Sequence, residues 1–260
     1  GDPTKHQDYK NCTKKLLDDG DGYEEKGSSQ LLPGDVRRLL HHLLSAPSLV
    51  NLQMAVVIII SILCFLRCDE FSKMACEHFL DHMFFIPKVS KVVEELVLKV
   101  KGKSDPNWVT LKLNADHKYT DLCGVRMLLV HLFLIDWKGG FIFPNMTELH
   151  EPPTDGIFLS QMDHDKFNKD LQALCAIVLP ELKDLKIGAH TMRKTAYAFA
   201  ICGSGDRDDI RKSARHAPGS KDAPAYSKDA DAHFETHKKN PNQLNNLTQW
   251  HNIRIEQATN

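Results

Sequence analysis

Charge of one sign is what this sequence lacks most plainly: 33 Lys and Arg stand against 34 Asp and Glu, a formal net charge of −1. That excludes a protein that binds polyanions by bulk positive charge. Membrane-spanning runs are missing as well. The apolar stretch Met54–Leu66 has thirteen residues, fewer than the roughly 17–25 needed to cross a bilayer, and reads as a core helix. Seven cysteines, an odd number, sit mostly in apolar surroundings, as at Cys64, Cys123, Cys175 and Cys202. They point to buried free thiols in a reducing compartment and away from a disulfide framework. The expectation is an intracellular protein, in which Asn-x-Ser/Thr matches at Asn11, Asn145 and Asn246 carry no weight. Paired metal-ligand spacings are also wanting: Cys64, Cys68, Cys76, His78 and His82 fit no standard zinc pattern. No internal repeat and no signal peptide is visible.

What is present suits one large domain. Apolar residues make up 42% of 260, enough for a sizeable core. The near-zero net charge hides an uneven distribution. Residues 1–30 hold five Lys against seven Asp and Glu, whereas 183–228 hold ten Lys and Arg against five acids. A locally basic face can hold phosphates on a neutral chain.

In chain order, residues 1–30 are polar and read as a flexible lead or linker. Pro33-Gly34-Asp35 opens an amphipathic helix to Ser45, with His41 and His42 on its surface. The apolar run 54–66 delivers Arg67, followed by Glu70. An arginine there needs an anionic partner, either a structural carboxylate (Asp69 or Glu70) or a ligand. Residues 92–113 alternate apolar and polar on both sides of a Gly-Lys-Ser-Asp-Pro-Asn turn, the signature of a β-hairpin. Residues 121–135 form an apolar helix in which His131 reads as a core or groove histidine. Lys138–Asn145 makes a turn, and 155–178 gives a further helix, from Asp163 up to Pro180. Ile187–Lys228 follows: a buried helix over Thr195–Cys202 stopping at Gly203, preceded by His190 and Arg193 on one helix face, near free N–H groups that favour anions. Beyond Tyr226 the chain begins helically and breaks at Asn240-Pro241.

Spacing ties these residues together. Arg193 follows His190 by three residues, His216 lies 23 beyond Arg193, and Tyr226 ten beyond His216. The order resembles the C-terminal motif of tyrosine recombinases, the integrase family of site-specific DNA recombinases. The Leu-Arg-x-x-Glu sequence at Arg67 and Glu70 resembles that family's first arginine motif with its supporting carboxylate. The hairpin turn around Lys103 resembles the one that carries the family's catalytic lysine, with Lys101 and Lys112 as neighbouring alternatives. The sequence departs from the pattern at Arg215, where a glycine is common, and in the 36-residue interval from Arg67 to Lys103.

The resemblance implies an α+β, mostly α-helical catalytic domain over 31–236, with a small antiparallel β-sheet. A tail over 237–260 would follow, a segment that in the family often docks on a neighbouring protomer. It implies an enzyme in which Tyr226 attacks the scissile phosphorus, giving a 3′-phosphotyrosine and a free 5′-hydroxyl. Arg67 and Arg193 would grip the non-bridging oxygens, His190 would accept the tyrosine proton, His216 would donate to a phosphate oxygen, and Lys103 would protonate the leaving oxygen. Two arginines take the place of a metal, so no cofactor and no divalent cation are implied. The implied partner is double-stranded DNA, bound as a homotetramer on paired sites, with no membrane and no small-molecule cofactor. Nothing before Leu31 has the length of the family's core-binding domain, so an isolated catalytic domain is expected. The Cys and His content and loop lengths fit a eukaryotic mobile-element enzyme of Crypton type, which would place it in the nucleus, and otherwise in the cytoplasm. Two other readings stand: a type IB topoisomerase-like enzyme, which usually needs a longer clamp, and a domesticated, non-catalytic DNA-binding protein derived from a transposon.

Overall fold

A computed structural model describes residues 30–75, 95–101, 108–116, 122–183 and 187–202, with Ile210 and Ala214. The chain folds around one helix, α2 (Leu49–Leu63), in which every residue from Gln53 to Leu63 is buried. A helix apolar on all sides belongs at the centre of a core. It starts where Ser48 Oγ accepts the Asn51 N–H at 3.0 Å. Helices α1 (Pro33–Ser45), α4 (Gly124–Leu134), α5 (Met146–His150) and α7 (Ala189–Cys202) pack around it.

The outer helices are amphipathic in the ordinary way. On α1, Val36, Leu39, Leu40 and Leu43 face inward, and His41 and His42 are exposed. Helix α6 (His164–Val178) buries Phe167, Leu171, Leu174 and Cys175, again at three- and four-residue spacings. Asp163 caps α6 by accepting the N–H groups of Asp165 and Lys166. The short helix α3 (Cys68–Ser72) is pinned to α6 by an edge-on contact between Phe71 and Phe167, ring centres 5.1 Å apart.

The hairpin expected over 92–113 is present. Strand β1 (Glu95–Lys101) pairs antiparallel with β2 (Trp108–Asn114), from Glu95 opposite Asn114 to Lys101 opposite Trp108. Leu96, Leu98 and Leu113 are buried, and β2 packs on α4. Gly124 lets the layers close: a Cβ there would lie 2.8 Å from Leu63 and 3.3 Å from Leu113. The hairpin thus seats against the start of α4, whose Gly124 in turn lies against Leu63 at the end of α2.

The helix expected from Asp163 onward is present as His164–Val178, with Asp163 at its N-cap. Two other expectations need correction. Before that helix, Ile157–Phe158 forms strand β4, parallel to β3 (Gly139–Gly140), so Lys138–Asn145 is part of a small ladder and more than a turn. Glycine decides this: Gly140 has φ +78 and a Cβ on it would sit 2.0 Å from the Phe158 carbonyl oxygen, while Gly156 has φ +70. The second concerns Arg67. Helix α2 ends at Leu63, and Arg67 stands four residues on, as the N-cap of α3.

That end of α2 has the geometry of a Schellman motif. The Cys64 N–H donates to the Ile60 carbonyl at 2.8 Å, and the Leu66 N–H reaches back to Ser61 at 3.0 Å, with Phe65 left-handed between them at φ 52. Glycine usually takes this position; a bulky residue there costs about 1–2 kcal/mol. Asp136 repeats the conformation after α4 at φ 50, with the Trp137 N–H bonded to Leu132, but aspartate tolerates it more readily.

Candidate active site

Three segments distant in sequence meet beside Phe65. Arg193, on the second turn of α7, is 1% exposed. Its Nη1 donates to the Phe65 carbonyl at 2.7 Å, and its Nη2 donates to the carbonyl of Ala214. Phe65 is two residues before Arg67, and Ala214 two before His216. One guanidinium therefore ties together the chain that presents Arg67, its own helix, and the chain leading into His216. The Phe65 ring stands edge-on to Tyr197, centres 6.3 Å apart, one turn beyond Arg193.

Arg67 is held more openly. Its own N–H donates to Glu70 Oε2 at 2.7 Å, and its Nη1 lies 3.5 Å from Glu70 Oε1. The Arg67 side chain is 24% exposed and that of Glu70 2%. Glu70 therefore acts from within the protein, anchoring the start of α3 and drawing the guanidinium to one side, while the solvent-facing part of Arg67 remains available to an anion. Of the two carboxylates expected as structural partners of Arg67, Glu70 is the one that pairs with it.

His190 and Arg193 do not share surroundings as their spacing suggested. His190, in the first turn of α7, is exposed, and Arg193 is sealed. The turn between them enters the core: Thr191 and Met192 are buried, and Thr191 Oγ1 accepts the Gly188 N–H at 3.0 Å. Thr195 receives the Leu31 N–H at 2.9 Å, which binds the base of α1 to α7. The helix over Thr195–Ala200 is buried as expected.

Lys103, His216 and Tyr226 lie outside the described residues. Of the alternative lysines, Lys101 ends β1 opposite Trp108, and Lys112 pairs with Val97. Cys68, next to Arg67, has its thiol pushed up to about 12, by burial first and then by the charges of Asp69, Asp165 and Asp163. It is therefore protonated and a poor nucleophile at neutral pH. His131 is fully buried, stacks on Phe143, and points Nε2 to the Ile142 carbonyl at 3.3 Å. It is a core histidine. Among the described residues no three His, Cys, Asp or Glu side chains converge on a possible metal position, and no helix is long and apolar enough to cross a membrane.

Phe65 is the position that sequence reasoning missed. A phenylalanine at the end of an apolar helix carries no signal of a left-handed backbone, nor of a carbonyl that serves an arginine 128 residues away.

The fold defined by these elements is that of the tyrosine recombinase catalytic domain, mostly helical with small sheets. The XerH site-specific recombinase in its post-cleavage complex with palindromic difH substrate superposes with a TM-score of 0.57 at 15% identity, covering 85% of this chain and 55% of that one. Its pre-cleavage complex with difH substrate gives 0.53 at 15%, over 78% and 50%. The XerA recombinase gives 0.54 at 12%, over 82% and 65%. The chain thus spans about half to two thirds of the length of these structures. No protein-family model matches the sequence, and a search of curated proteins returns no match.

Proposed function

We propose that this chain is the catalytic part of a site-specific DNA recombinase that cleaves and rejoins DNA through a 3′-phosphotyrosine on Tyr226. The observation that carries the reading is the convergence beside Phe65, on a tyrosine recombinase fold, of the Arg67 segment, Arg193 and the chain leading into His216. In this reading Arg67, steadied by Glu70, and Arg193 neutralise the charge that grows on the non-bridging oxygens as Tyr226 attacks. Phenol ionises near 10 in water, so it needs a base and a positive field. His190, exposed in the first turn of α7, is the base. His216 donates to a phosphate oxygen. Lys103, between the two hairpin strands in sequence, protonates the departing 5′-oxygen. The phosphotyrosine conserves the bond energy, so rejoining needs no nucleotide cofactor. Double-stranded DNA is the partner, and paired sites would be bridged by four copies.

One observation favours a second reading, a domesticated non-catalytic DNA-binding protein. Arg193 is 1% exposed and bonded to two backbone carbonyls, a role that an arginine can fill with no reaction. Covalent trapping separates the two. Wild type and Tyr226→Phe are incubated with nicked suicide duplexes from a random-sequence library and run on a denaturing gel. A protease-sensitive adduct on the 3′ phosphate, absent from Tyr226→Phe, is the expected result. Binding with no adduct sinks the enzyme and leaves the binder.

A further inference from the structure

We infer that Phe65 is a positioning residue, acting through its left-handed backbone to hold Arg193 in register with Arg67 before any phosphate arrives. The inference rests on the recombinase reading for its functional consequence, but its structural half stands by itself. Phe65 has φ 52, a region that bulky side chains seldom adopt. The conformation is held from both sides, by the Leu66 N–H bonded back to Ser61 at 3.0 Å and by the ring edge-on to Tyr197. Its product is one carbonyl aimed at a buried guanidinium, 2.7 Å from Arg193 Nη1. Two residues later the same chain presents Arg67, the N-cap of α3. If residue 65 turned to an extended or right-handed conformation, the carbonyl would leave Arg193 and the Arg67 segment would depart from α2 along another path. One backbone torsion thus fixes the relative placement of both arginines.

A backbone role and a packing role make opposite predictions, because Phe65 is also 3% exposed. Phe65→Gly and Phe65→Asn accept the left-handed conformation and lose the ring. Phe65→Ile and Phe65→Val keep apolar bulk, but their β-branched side chains resist it. Folded fraction is checked by circular dichroism, with rates taken at low temperature on folded protein. The first readout is ¹⁵N NMR of arginine side chains, with the Arg193 signals assigned by their loss in Arg193→Lys. Two carbonyl bonds slow guanidinium rotation, so wild type, Phe65→Gly and Phe65→Asn should show separate Arg193 Nη signals. In Phe65→Ile and Phe65→Val these should merge.

The second readout is the rate of adduct formation on bound suicide DNA. The glycine and asparagine variants should recover it to within about tenfold of wild type. The β-branched variants should lose about 100-fold, the scale of a 1 Å misplacement at a reacting centre, with DNA affinity little changed. Resolved Arg193 signals and a near-normal rate in Phe65→Ile, with both lost in Phe65→Gly, would overturn the inference in favour of packing. If wild type forms no adduct, the recombinase reading fails, and the NMR pattern alone decides whether the Phe65 backbone positions Arg193.

Discussion

Removing the Glu70 carboxylate separates its two contacts with Arg67 by energy. The bond from the Arg67 N–H to Oε2 is 2.7 Å and partly buried, on a Glu70 side chain only 2% exposed, a charge-assisted cap of the kind worth about 1.5–3 kcal/mol. The ion pair from Nη1 to Oε1 is 3.5 Å with a guanidinium that is 24% exposed, so solvent screening leaves it at about 0.5 kcal/mol or less. Glu70→Ala loses both and strands a backbone N–H at the start of α3, a total of about 3 kcal/mol. Glu70→Gln retains an oxygen for the N–H and most of the shape, and should cost about 1 kcal/mol. Urea denaturation at pH 7, with the dependence on denaturant unchanged between variants, should rank wild type above Gln and Gln well above Ala. Equal losses in both variants would mean that the charge and not the cap holds α3. No loss in either would refute the anchoring role altogether. In the trapping assay Glu70→Gln leaves Arg67 charged but untethered, so adduct formation should fall further than DNA binding does.

Other outcomes follow from the same structure. Gly140→Ala must adopt φ +78 with its Cβ 2.0 Å from the Phe158 carbonyl oxygen, and should destabilise by about 3 kcal/mol from torsion and overlap together; a loss under about 1 kcal/mol in chemical denaturation would contradict the β3–β4 geometry. Ser61→Ala removes a buried hydroxyl with no hydrogen-bond partner among the described residues and should stabilise by about 1 kcal/mol, a rise of roughly 2–4 °C in Tm. Burial lowers His131 from 6.5 to about 4. Native protein therefore keeps it neutral while the unfolded chain takes up a proton below 6.5, and stability is lost as pH falls from 6.5 towards about 4. The loss over that window amounts to about 3 kcal/mol. Denaturation of wild type and His131→Phe at several pH values checks this, since the difference between them should grow with acidification across that window.

Elements long enough to show a period were legible in the sequence. Helix α1 announces itself by Val36, Leu39, Leu40 and Leu43, and the hairpin by alternation on both sides of a turn. Helix α2 was legible as a core helix because Met54–Leu63, broken only by Ser61, leaves it no polar face. The β3–β4 ladder is two residues long, shorter than any alternation can register, and depends on where Gly140 and Gly156 let the chain turn. The site divides in the same way. Glu70 was readable because it is local to Arg67, three residues on. The sealing of Arg193 was not, because exposure at that position is set by Phe65 and Ala214, and spacing within a helix carries no information about what packs against it. His190 and Arg193 are neighbours on α7 and still occupy different dielectrics.

The two long ties described above also have a temporal meaning. The Leu31 N–H reaches Thr195 across 164 residues, and the Phe65 carbonyl reaches Arg193 across 128. During synthesis the amino-terminal half leaves the ribosome with its central apolar helix made and α7 still to come. Neither the anchor for α1 nor the partner for the Phe65 carbonyl exists until the chain has been made as far as α7, so both ties form only after that helix. Contacts of such separation also slow folding. A nascent or prematurely terminated chain can therefore carry Arg67 without the contact that ties its segment to Arg193.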